Sequence, residues 1–352
     1  MKTNDRPLTD LMKAVDTGSA QSPDFQRGWV WDDGRIKSLI LSIIHNFPVG
    51  AAMFLEYGNE SIHFKHKPIE GSGADPDIEP DELILDGQQR LTSLYNALYS
   101  RNPVRTKTDK GKEIERYYYL DIEKALDPSA DDEEVVISIP ATKQVTSDFG
   151  RRIDIDLSTR QDEFRLKMFP LNIILDPGEE HDWEFEFLDY YNHDAVLYHQ
   201  FRDFYTKIIS PTQKYAMPVI SLDKETPKEA VCQVFENVNT GGVSLTVFEL
   251  VTAVVAMDDV PLRKDWEERK EQFFSGELLN IVTATDFLTA LTLLSAFKAG
   301  RTVSCKKKDV LALQLTEYVK YADDLCKGFS VAEKLLQEER IFQAVIFRTA
   351  LS

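Results

Sequence analysis

The chain has 352 residues, 43% of them hydrophobic and 28% charged, which is enough to bury a substantial core and favours two domains over one. Its 59 acidic and 41 basic residues give a formal net charge of -18 that repels polyanions, so binding of nucleic acid requires a local basic patch. The three cysteines (Cys232, Cys305 and Cys326) form no CxxC pair, which argues against a disulfide framework and against a structural zinc site.

No segment has the pattern of a membrane span or of a secretory signal. Residues 1–18 contain no continuous apolar stretch, and the most apolar later run, residues 287–297, is far shorter than the roughly 20 residues that a membrane helix needs. We therefore expect a cytoplasmic protein without membrane contact.

Helix and strand patterns alternate in the first part of the chain. An apolar stripe at helical spacing predicts a helix that begins near Asp32 or Asp33 and ends at Pro48. The stripe consists of Ile36, Leu39, Ile40, Ile43, Ile44 and Phe47. Residues 49–57 (VGAAMFLEY) read as a buried strand, and the acidic, glycine-rich and proline-rich residues 70–82 read as a solvated loop.

The middle of the chain predicts a mixed or antiparallel sheet. Residues 83–99 (LILDGQQRLTSLYNALY) give a strand, a polar turn and a helix with Leu91, Leu94 and Leu98 on one face. Further strands are predicted at 117–122, 135–139 and 215–222. Residues 101–116 read as a basic connection, and residues 181–209 as helical and rich in aromatic side chains.

Strand signals disappear after about residue 223, and helices are predicted near 226–238, 246–257, 262–274, 284–298, 308–325 and 330–350. The expected fold is therefore α+β, with a mixed-sheet domain at 1–222 followed by a helical domain at 223–352. Because the sequence stops inside an apolar, helix-like run at Ser352, we expect the chain to be truncated at its C-terminus.

The turn Asp86-Gly87-Gln88-Gln89-Arg90 is the first candidate for chemistry. A strand that runs through a glycine into a helix presents free backbone N–H groups and the positive end of the helix dipole, which favours a phosphate. Arg90 in the first helical turn suits a bidentate phosphate contact, the two glutamines suit orientation of a water, and Asp86 suits Mg²⁺ binding or proton acceptance. The same spacing also fits a capped turn with polar residues on a solvated helix face.

Two further segments carry candidate residues with equally plain alternatives. Phe25, Trp29 and Trp31 surround Gln26 and Arg27, a pattern that suits phosphate binding or base stacking, or else an ordinary tryptophan pair at the core edge. A turn rich in asparagine and glycine suits nucleotide binding through amides, or else a helix C-cap. That turn contains Asn237, Asn239, Thr240, Gly241 and Gly242. The sequence has no Walker-type GxxxxGKS segment, and its histidines form no credible metal set.

Three segments in order, residues 23–50, 83–98 and 234–253, resemble one family. They are similar to the DGQQR-containing N-terminal domain of the GmrSD type IV restriction enzymes and of the SspE and BrxU antiphage proteins, some of which sense phosphorothioate DNA. The resemblance implies a ParB/sulfiredoxin-like core followed by a helical region, and Mg²⁺-dependent hydrolysis of a nucleoside triphosphate coupled to cutting of modified foreign DNA.

The motif positions assign roles by resemblance. The catalytic candidates are Asp86, Gln88, Gln89 and Arg90, with Mg²⁺ held through Asp86. The nucleotide-binding candidates are Gln26, Arg27, Gly87, Asn239, Thr240, Gly241 and Gly242. Phe25, Trp29 and Trp31 are candidates for sensing the DNA modification.

The HNH nuclease domain that usually follows in this family has no counterpart in the sequence. The nuclease is therefore cut away, resides on a partner chain, or is absent from a regulatory member, and self-association is left open. The preferred hypothesis is an NTP-hydrolysing sensor domain. The rival is a non-hydrolysing module that binds modified DNA, with phosphate contacts from residues 101–116, Arg151, Arg152 and Lys306–Lys308.

Overall fold

The structure, a computed structural model, describes residues 2–26, 28–58, 64–148, 151–227, 230–231, 247–254, 262–276 and 278–340. The chain divides into two compact units. The first comprises residues 1–57 and 66–223, and the second residues 58–65 and 224–352.

The first unit is built on strands from distant parts of the chain. They are β1 (Lys2–Pro7), β2 (Ala20–Pro23), β3 (Ala52–Glu56), β4 (His66–Lys67), β5 (Glu82–Asp86), β6 (Val104–Lys107), β7 (Glu113–Asp121), β8 (Val136–Pro140), β9 (Gln144–Ser147), β10 (Arg152–Asp156), β11 (Met168–Pro170) and β12 (Ala216–Leu222). Six of them form a mixed sheet in the order β1-β12-β3-β5-β2-β4, in which β12 runs parallel to β3 and β5 runs parallel to β2. The last strand, β12, thus joins the same sheet as the first.

A second sheet is centred on β7, which pairs antiparallel with β6, β8 and β11. A separate hairpin is formed by β9 and β10. The register places Arg116 of β7 opposite both Val104 of β6 and Pro140, the last residue of β8. The carbonyl of Glu115 still accepts the backbone N–H of Ala141, and beyond Glu115, towards the turn, β7 continues with β6 alone among the described strands.

Helices of the first unit cover the sheets and supply much of the core. They are α1 (Leu8–Asp16), α2 (Asp33–Ile44), α3 (Gln88–Leu98), α4 (Ile122–Leu126), α5 (Asp132–Val135), α6 (Arg160–Leu166), α7 (Pro177–Tyr190), α8 (Ala195–Phe204) and α9 (Ser210–Gln213). Apolar residues of α1, α2 and α3 share one buried cluster with β3 and β5. Since a continuous core joins these elements, the junction of β5 and α3 has a packed support.

The second unit is helical in its described residues. Its helices are α10 (Val247–Val254), α11 (Leu262–Phe273), α12 (Ala284–Lys298), α13 (Lys307–Leu311) and α14 (Leu315–Glu338). Thr283 and Asp286 form a capping box at the start of α12. The α+β fold class with a helical C-terminal region is thereby confirmed, whereas the ParB/sulfiredoxin-like core stays a prediction.

Four details differ from the sequence predictions. Phe47 lies outside α2 and is 58% exposed, because the helix ends at Ile44 and the chain turns at Asn46 with a positive φ of 55°. The basic connection contains β6 and the start of β7. One long helix, α14, replaces the predicted break near 326–329, and β1 and α1 had no predicted counterpart.

Candidate functional site

The junction of β5 and α3 places the predicted polar turn at the C-terminal end of β5, an inner strand of the six-stranded sheet. Asp86 ends β5, and Gly87 follows with a φ of 88° in the left-handed region. A Cβ built on Gly87 would lie 3.2 Å from the Cβ of Ala52. The turn therefore requires a residue without a side chain, both for its backbone conformation and for its close approach to β3.

Helix α3 begins without a side-chain cap. Its N-cap residue is Gly87, and its first turn contains no acidic residue. By contrast, the side chains of Asp32, Asp121, Asp176 and Asp194 accept backbone N–H groups at the starts of α2, α4, α7 and α8. An uncapped helix of 11 residues concentrates positive potential at its first amides. This start is suited to an anionic group.

Gln89 holds the segment 28–30 against the start of α3. Its Oε1 accepts the backbone N–H of Val30 at 3.0 Å, and its Nε2 donates to the carbonyl of Gly28 at 3.2 Å. The same Nε2 also donates to Oε1 of Gln88 at 2.9 Å. A single amide therefore ties one wall of the turn to α3 through both of its polar atoms.

Ser93 and Asn96 continue this attachment along the same helix. Ser93 is fully buried, and its Oγ accepts the indole N–H of Trp29 at 3.0 Å. Asn96 donates to the carbonyl of Glu70 at 2.8 Å, and the Glu70 carboxylate accepts the backbone N–H of Trp29 at 2.9 Å. Positions 89, 93 and 96 lie on one helix face, so the three residues form a polar stripe that fixes this segment.

Gln26 connects the beginning of the same segment to β5. Its Nε2 donates to the carbonyls of Ile84 and Leu85 at 2.8 and 3.1 Å, and its Oε1 accepts the hydroxyl of Ser22. The first and second segments that carry the family resemblance are thus in direct contact.

Arg90 holds a second segment at the turn, the loop of residues 47–51, which with segment 28–30 forms the two walls of the turn. Its Nη1 donates to the carbonyl of Val49 at 2.7 Å, and its Nη2 donates to the carbonyl of Ala51 at 2.8 Å and to Oδ2 of Asp86 at 3.1 Å. The Arg90 side chain is 18% exposed and that of Asp86 is 32% exposed. The guanidinium therefore organises a loop around Gly50 and pairs with the carboxylate at the turn.

Tyr215 anchors the same loop from its other end. Its hydroxyl donates to the carbonyl of Phe47 at 2.9 Å, and burial raises the pKa of this hydroxyl above its usual value. With Arg90 on the carbonyls of Val49 and Ala51, residues 47–51 are fixed at three points. The ring of Phe47 nevertheless stays exposed beside His45, with ring centroids 5.5 Å apart.

The described structure brings together the turn residues 86–90 and Gln26. Gln88 is only 6% exposed, and Trp29 and Trp31 are half-buried against the core. Phe25 is half-buried as well. Arg27 and the predicted turn with Asn239, Thr240, Gly241 and Gly242 lie outside the described residues. The catalytic, nucleotide-binding and sensing roles of all these residues stay predictions.

Sequence reasoning missed the residues that support the turn from outside the motif. Ser93 and Asn96 follow Gln89 at helical spacing, so a polar stripe was visible in principle. Gly50 and Tyr215 gave no comparable local signal. Their contacts with the turn and its loop join residues that are far apart in the chain.

A magnesium ion at the turn would have one protein carboxylate, Asp86, as its ligand. Among the described residues, no group of three His, Cys, Asp or Glu side chains is placed to hold a metal ion. Mg²⁺ in phosphate-transfer sites commonly uses one or two carboxylates together with substrate phosphates. Asp86 fits that requirement as the carboxylate at the turn.

Comparison with known proteins agrees with the resemblance that the three segments carry. A family model described as the N-terminal domain of the GmrSD restriction endonuclease matches residues 8–256. The chain belongs to this family. The matched residues include the turn at 86–90 and both segments tied to it, 28–30 and 47–51.

A curated relative is the uncharacterized protein MJ0686 of Methanocaldococcus jannaschii, which is 26% identical over 319 residues. The alignment covers 87% of this chain and 50% of the relative, so the chain spans about half the length of that protein. In the described part of the chain, no helix has the length and apolarity required to cross a membrane.

Proposed function

We propose that the turn at residues 86–90 binds the phosphates of a nucleoside triphosphate and that the chain is the NTP-hydrolysing sensor part of a modification-dependent DNA restriction system. The observation that carries this proposal is the uncapped start of α3 at Gly87, between two walls tied down by Gln89 and Arg90. Membership in the GmrSD restriction endonuclease family supports the connection with DNA restriction.

Phosphate binding is assigned to the backbone of the turn. The N–H groups in the first turn of α3 point out of the helix, and Gly87 allows a ligand to approach closely. Gln89 and Arg90 act as positioning residues, because their polar groups hold segment 28–30 and loop 47–51. Both walls are therefore preorganised before a nucleotide arrives.

Hydrolysis is assigned to attack of a water on the terminal phosphorus atom. Asp86 accepts the proton of this water as the new oxygen–phosphorus bond forms, and the bond to the departing nucleoside diphosphate breaks. Orientation of the water is assigned to Gln88, which follows Gly87 at the start of α3. The exposed third of the Asp86 side chain gives a water access to the carboxylate.

In the alternative role, Asp86 would be the residue that holds Mg²⁺ beside the nucleotide phosphates and would not be the proton acceptor. When bound, the ion supplies neutralisation of phosphate charge. By the family resemblance, nucleotide-binding roles are also proposed for Gln26, Arg27, Asn239, Thr240, Gly241 and Gly242. A partner nuclease or HNH domain supplies DNA cleavage, and the chain acts in the cytoplasm, where it meets foreign DNA.

Phosphate release tests the proposal. The chain is incubated with ATP, GTP, CTP or UTP and Mg²⁺, with and without modified duplex DNA. We expect release by the wild type with at least one nucleotide, and a loss of about 100-fold or more in Asp86→Asn, as for removal of a general base. Asp189→Asn, whose side chain is 74% exposed on α7, is the matched control and keeps the wild-type rate.

The positioning role is tested separately with Gln89→Ala. Since this variant frees segment 28–30 without touching the proposed proton acceptor, KM rises more than kcat falls. Absence of phosphate release by the wild type with all four nucleotides, or equal release by Asp86→Asn, contradicts the proposed function.

A non-hydrolysing DNA-binding module is the second candidate. It is favoured by the contacts of Gln89 and Arg90, whose polar groups bind the protein's own backbone. In this case the turn at 86–90 only joins β5 to α3. Modified DNA is then recognised by the segments beside the turn, one of which carries Phe25, Trp29 and Trp31. DNA affinity without any nucleotide turnover distinguishes this candidate from the first.

A further inference from the structure

We propose that the β-ribbon formed by residues 104–116 is a contact surface for the sugar-phosphate backbone of duplex DNA. The ribbon consists of β6, the turn at 108–112 and the first residues of β7. The proposal rests on the DNA-directed part of the proposed function, and it assigns a surface that is distinct from the nucleotide turn.

At its turn end this segment is a two-stranded element, and one face of β6 packs on the protein through buried Val104 and Thr106. β8 ends at Pro140 opposite Arg116, and Ala141 still donates its backbone N–H to the carbonyl of Glu115, whereas β7 and β6 remain paired as far as Glu113 and Lys107. Among the described strands, the other edge of β6 has no partner. The ribbon therefore presents its turn and the exposed face of its strands to a duplex, which is sufficient for contacts with the sugar-phosphate backbone.

Charge on the ribbon is opposite to that of the molecule. Residues 104–116 contain five basic residues (Arg105, Lys107, Lys110, Lys112 and Arg116) and three acidic ones (Asp109, Glu113 and Glu115), in a chain with a formal net charge of -18. Asp109 is turned to its own backbone, where it accepts the N–H of Lys110 at 2.9 Å. A local basic patch is what an acidic protein needs in order to hold a polyanion.

The basic side chains are accessible at the strands as well as at the turn. Arg105 is 88% exposed, and its contact with Glu115 at 3.2 Å lies on the surface, where such a pair contributes little stability. Residues 109–113 are exposed throughout. Arg105 can therefore exchange its carboxylate partner for a phosphate at low cost.

The inner face of the ribbon is connected to the wall of the nucleotide turn. Buried Thr106 donates its hydroxyl to the carbonyl of Trp31 at 2.7 Å. Trp31 follows Val30, whose N–H is held by Gln89. DNA bound on the ribbon would thus lie on an element that is hydrogen-bonded to the segment at the turn.

Salt dependence of DNA binding in the absence of nucleotide tests the ribbon independently of any hydrolysis. Each phosphate contact contributes about 0.9 to the slope of log affinity against log salt, which is about 3.5-fold between roughly 50 and 200 mM salt. In Lys110→Gln/Lys112→Gln we expect the magnitude of the slope to be smaller by about two. The factor by which this salt increase weakens DNA binding is then about tenfold smaller than in the wild type.

The matched control is Lys13→Gln/Lys334→Gln, which removes the same charge from exposed positions on α1 and α14. It keeps the wild-type slope if the ribbon makes the contacts. Lysines that only protect a sheet edge would leave the slope unchanged in the ribbon variant. An unchanged slope in the ribbon variant would overturn the proposal. So would a wild type that does not bind duplex DNA at low salt, or one that binds duplex RNA of equal length more tightly.

Because this measurement contains no nucleotide, it succeeds or fails regardless of phosphate release. Phosphate release measured without DNA, by contrast, depends on the turn at 86–90 and not on the ribbon. Failure of the ribbon and failure of the proposed NTP hydrolysis are therefore distinguishable.

Discussion

A Cβ placed on Gly50 would lie 2.7 Å from Nη1 of Arg90. The arginine of the turn thus covers the one residue of its loop that has no side chain, and it bonds the carbonyls of the two flanking residues. This relationship makes Arg90 first of all an organiser of the site, whatever ligand the turn receives.

Gly50→Ala is expected to disrupt this contact. Gly50 has a φ of 87°, so alanine costs about 1 to 2 kcal/mol of unfolding free energy from backbone strain, in addition to the clash with Arg90. The control is Gly111→Ala, because Gly111 has a φ of 80° and a Cβ placed on it would meet nothing within 4 Å. Urea denaturation should show a larger loss for Gly50→Ala, and equal losses would contradict the contact.

Arg90→Lys tests the three hydrogen bonds of the guanidinium. Lysine cannot reproduce its planar geometry, so at least one carbonyl of the loop loses its donor, and we expect a loss of about 2 kcal/mol in unfolding free energy. Arg105→Lys at the exposed ribbon should change stability by less than about 0.5 kcal/mol. A loss for Arg90→Lys as small as for Arg105→Lys would refute the anchoring role.

Ser93→Ala tests the attachment of Trp29 to α3. The indole N–H loses its acceptor at a buried position, with an expected cost of about 1 to 2 kcal/mol measured by chemical denaturation. Ser38→Ala is the control, because that hydroxyl only donates to the carbonyl of Gly34 within α2. Similar stability of both variants would show that the indole contact is dispensable.

Glu180 gives a prediction for pH. It is 4% exposed, and burial, followed by the charge of Glu184, raises its pKa from 4.5 to about 7. A carboxyl with a raised pKa stabilises the fold below its unfolded pKa, and this contribution is lost as pH rises through the folded pKa. Between about pH 4.5 and 7 the wild type should therefore lose up to about 3 kcal/mol relative to Glu180→Gln.

This comparison requires denaturation curves at several pH values. Glu113→Gln, at an exposed position of the ribbon, should follow the wild type across the whole range. If the stability difference between the wild type and Glu180→Gln is constant with pH, the assigned pKa is wrong.

Local patterns were sufficient to predict the elements of the site. The stripe Ile36 to Ile44 gave α2, the run 83–98 gave β5, the turn and α3, and the apolar residues before Tyr57 gave β3. Each of these segments has a hydrophobic period that matches its buried face, so its structure could be read without knowledge of the rest of the chain.

Contacts that join distant segments could not be predicted. Arg90 was expected to contact a phosphate, yet in the structure it bonds carbonyls 41 and 39 residues away. Strand β1 is mostly exposed and has no apolar pattern, because its place in the sheet depends on pairing with β12 at the far end of the unit. At Gly328, α14 continues through a glycine whose neighbourhood is open, so the residue does not end the helix.

The most direct measurement of the central claim is a titration with a non-hydrolysable NTP analogue and Mg²⁺, followed by the backbone amide signals of Gly87, Gln88 and Gln89 in a ¹⁵N-labelled sample. If these amides hold a phosphate, their chemical shifts should change together with those of segment 28–30. Asp189→Asn should show the same shift changes as the wild type. If the analogue binds while the amides of residues 87–89 stay in place, or if it does not bind at all, the turn is not the nucleotide site.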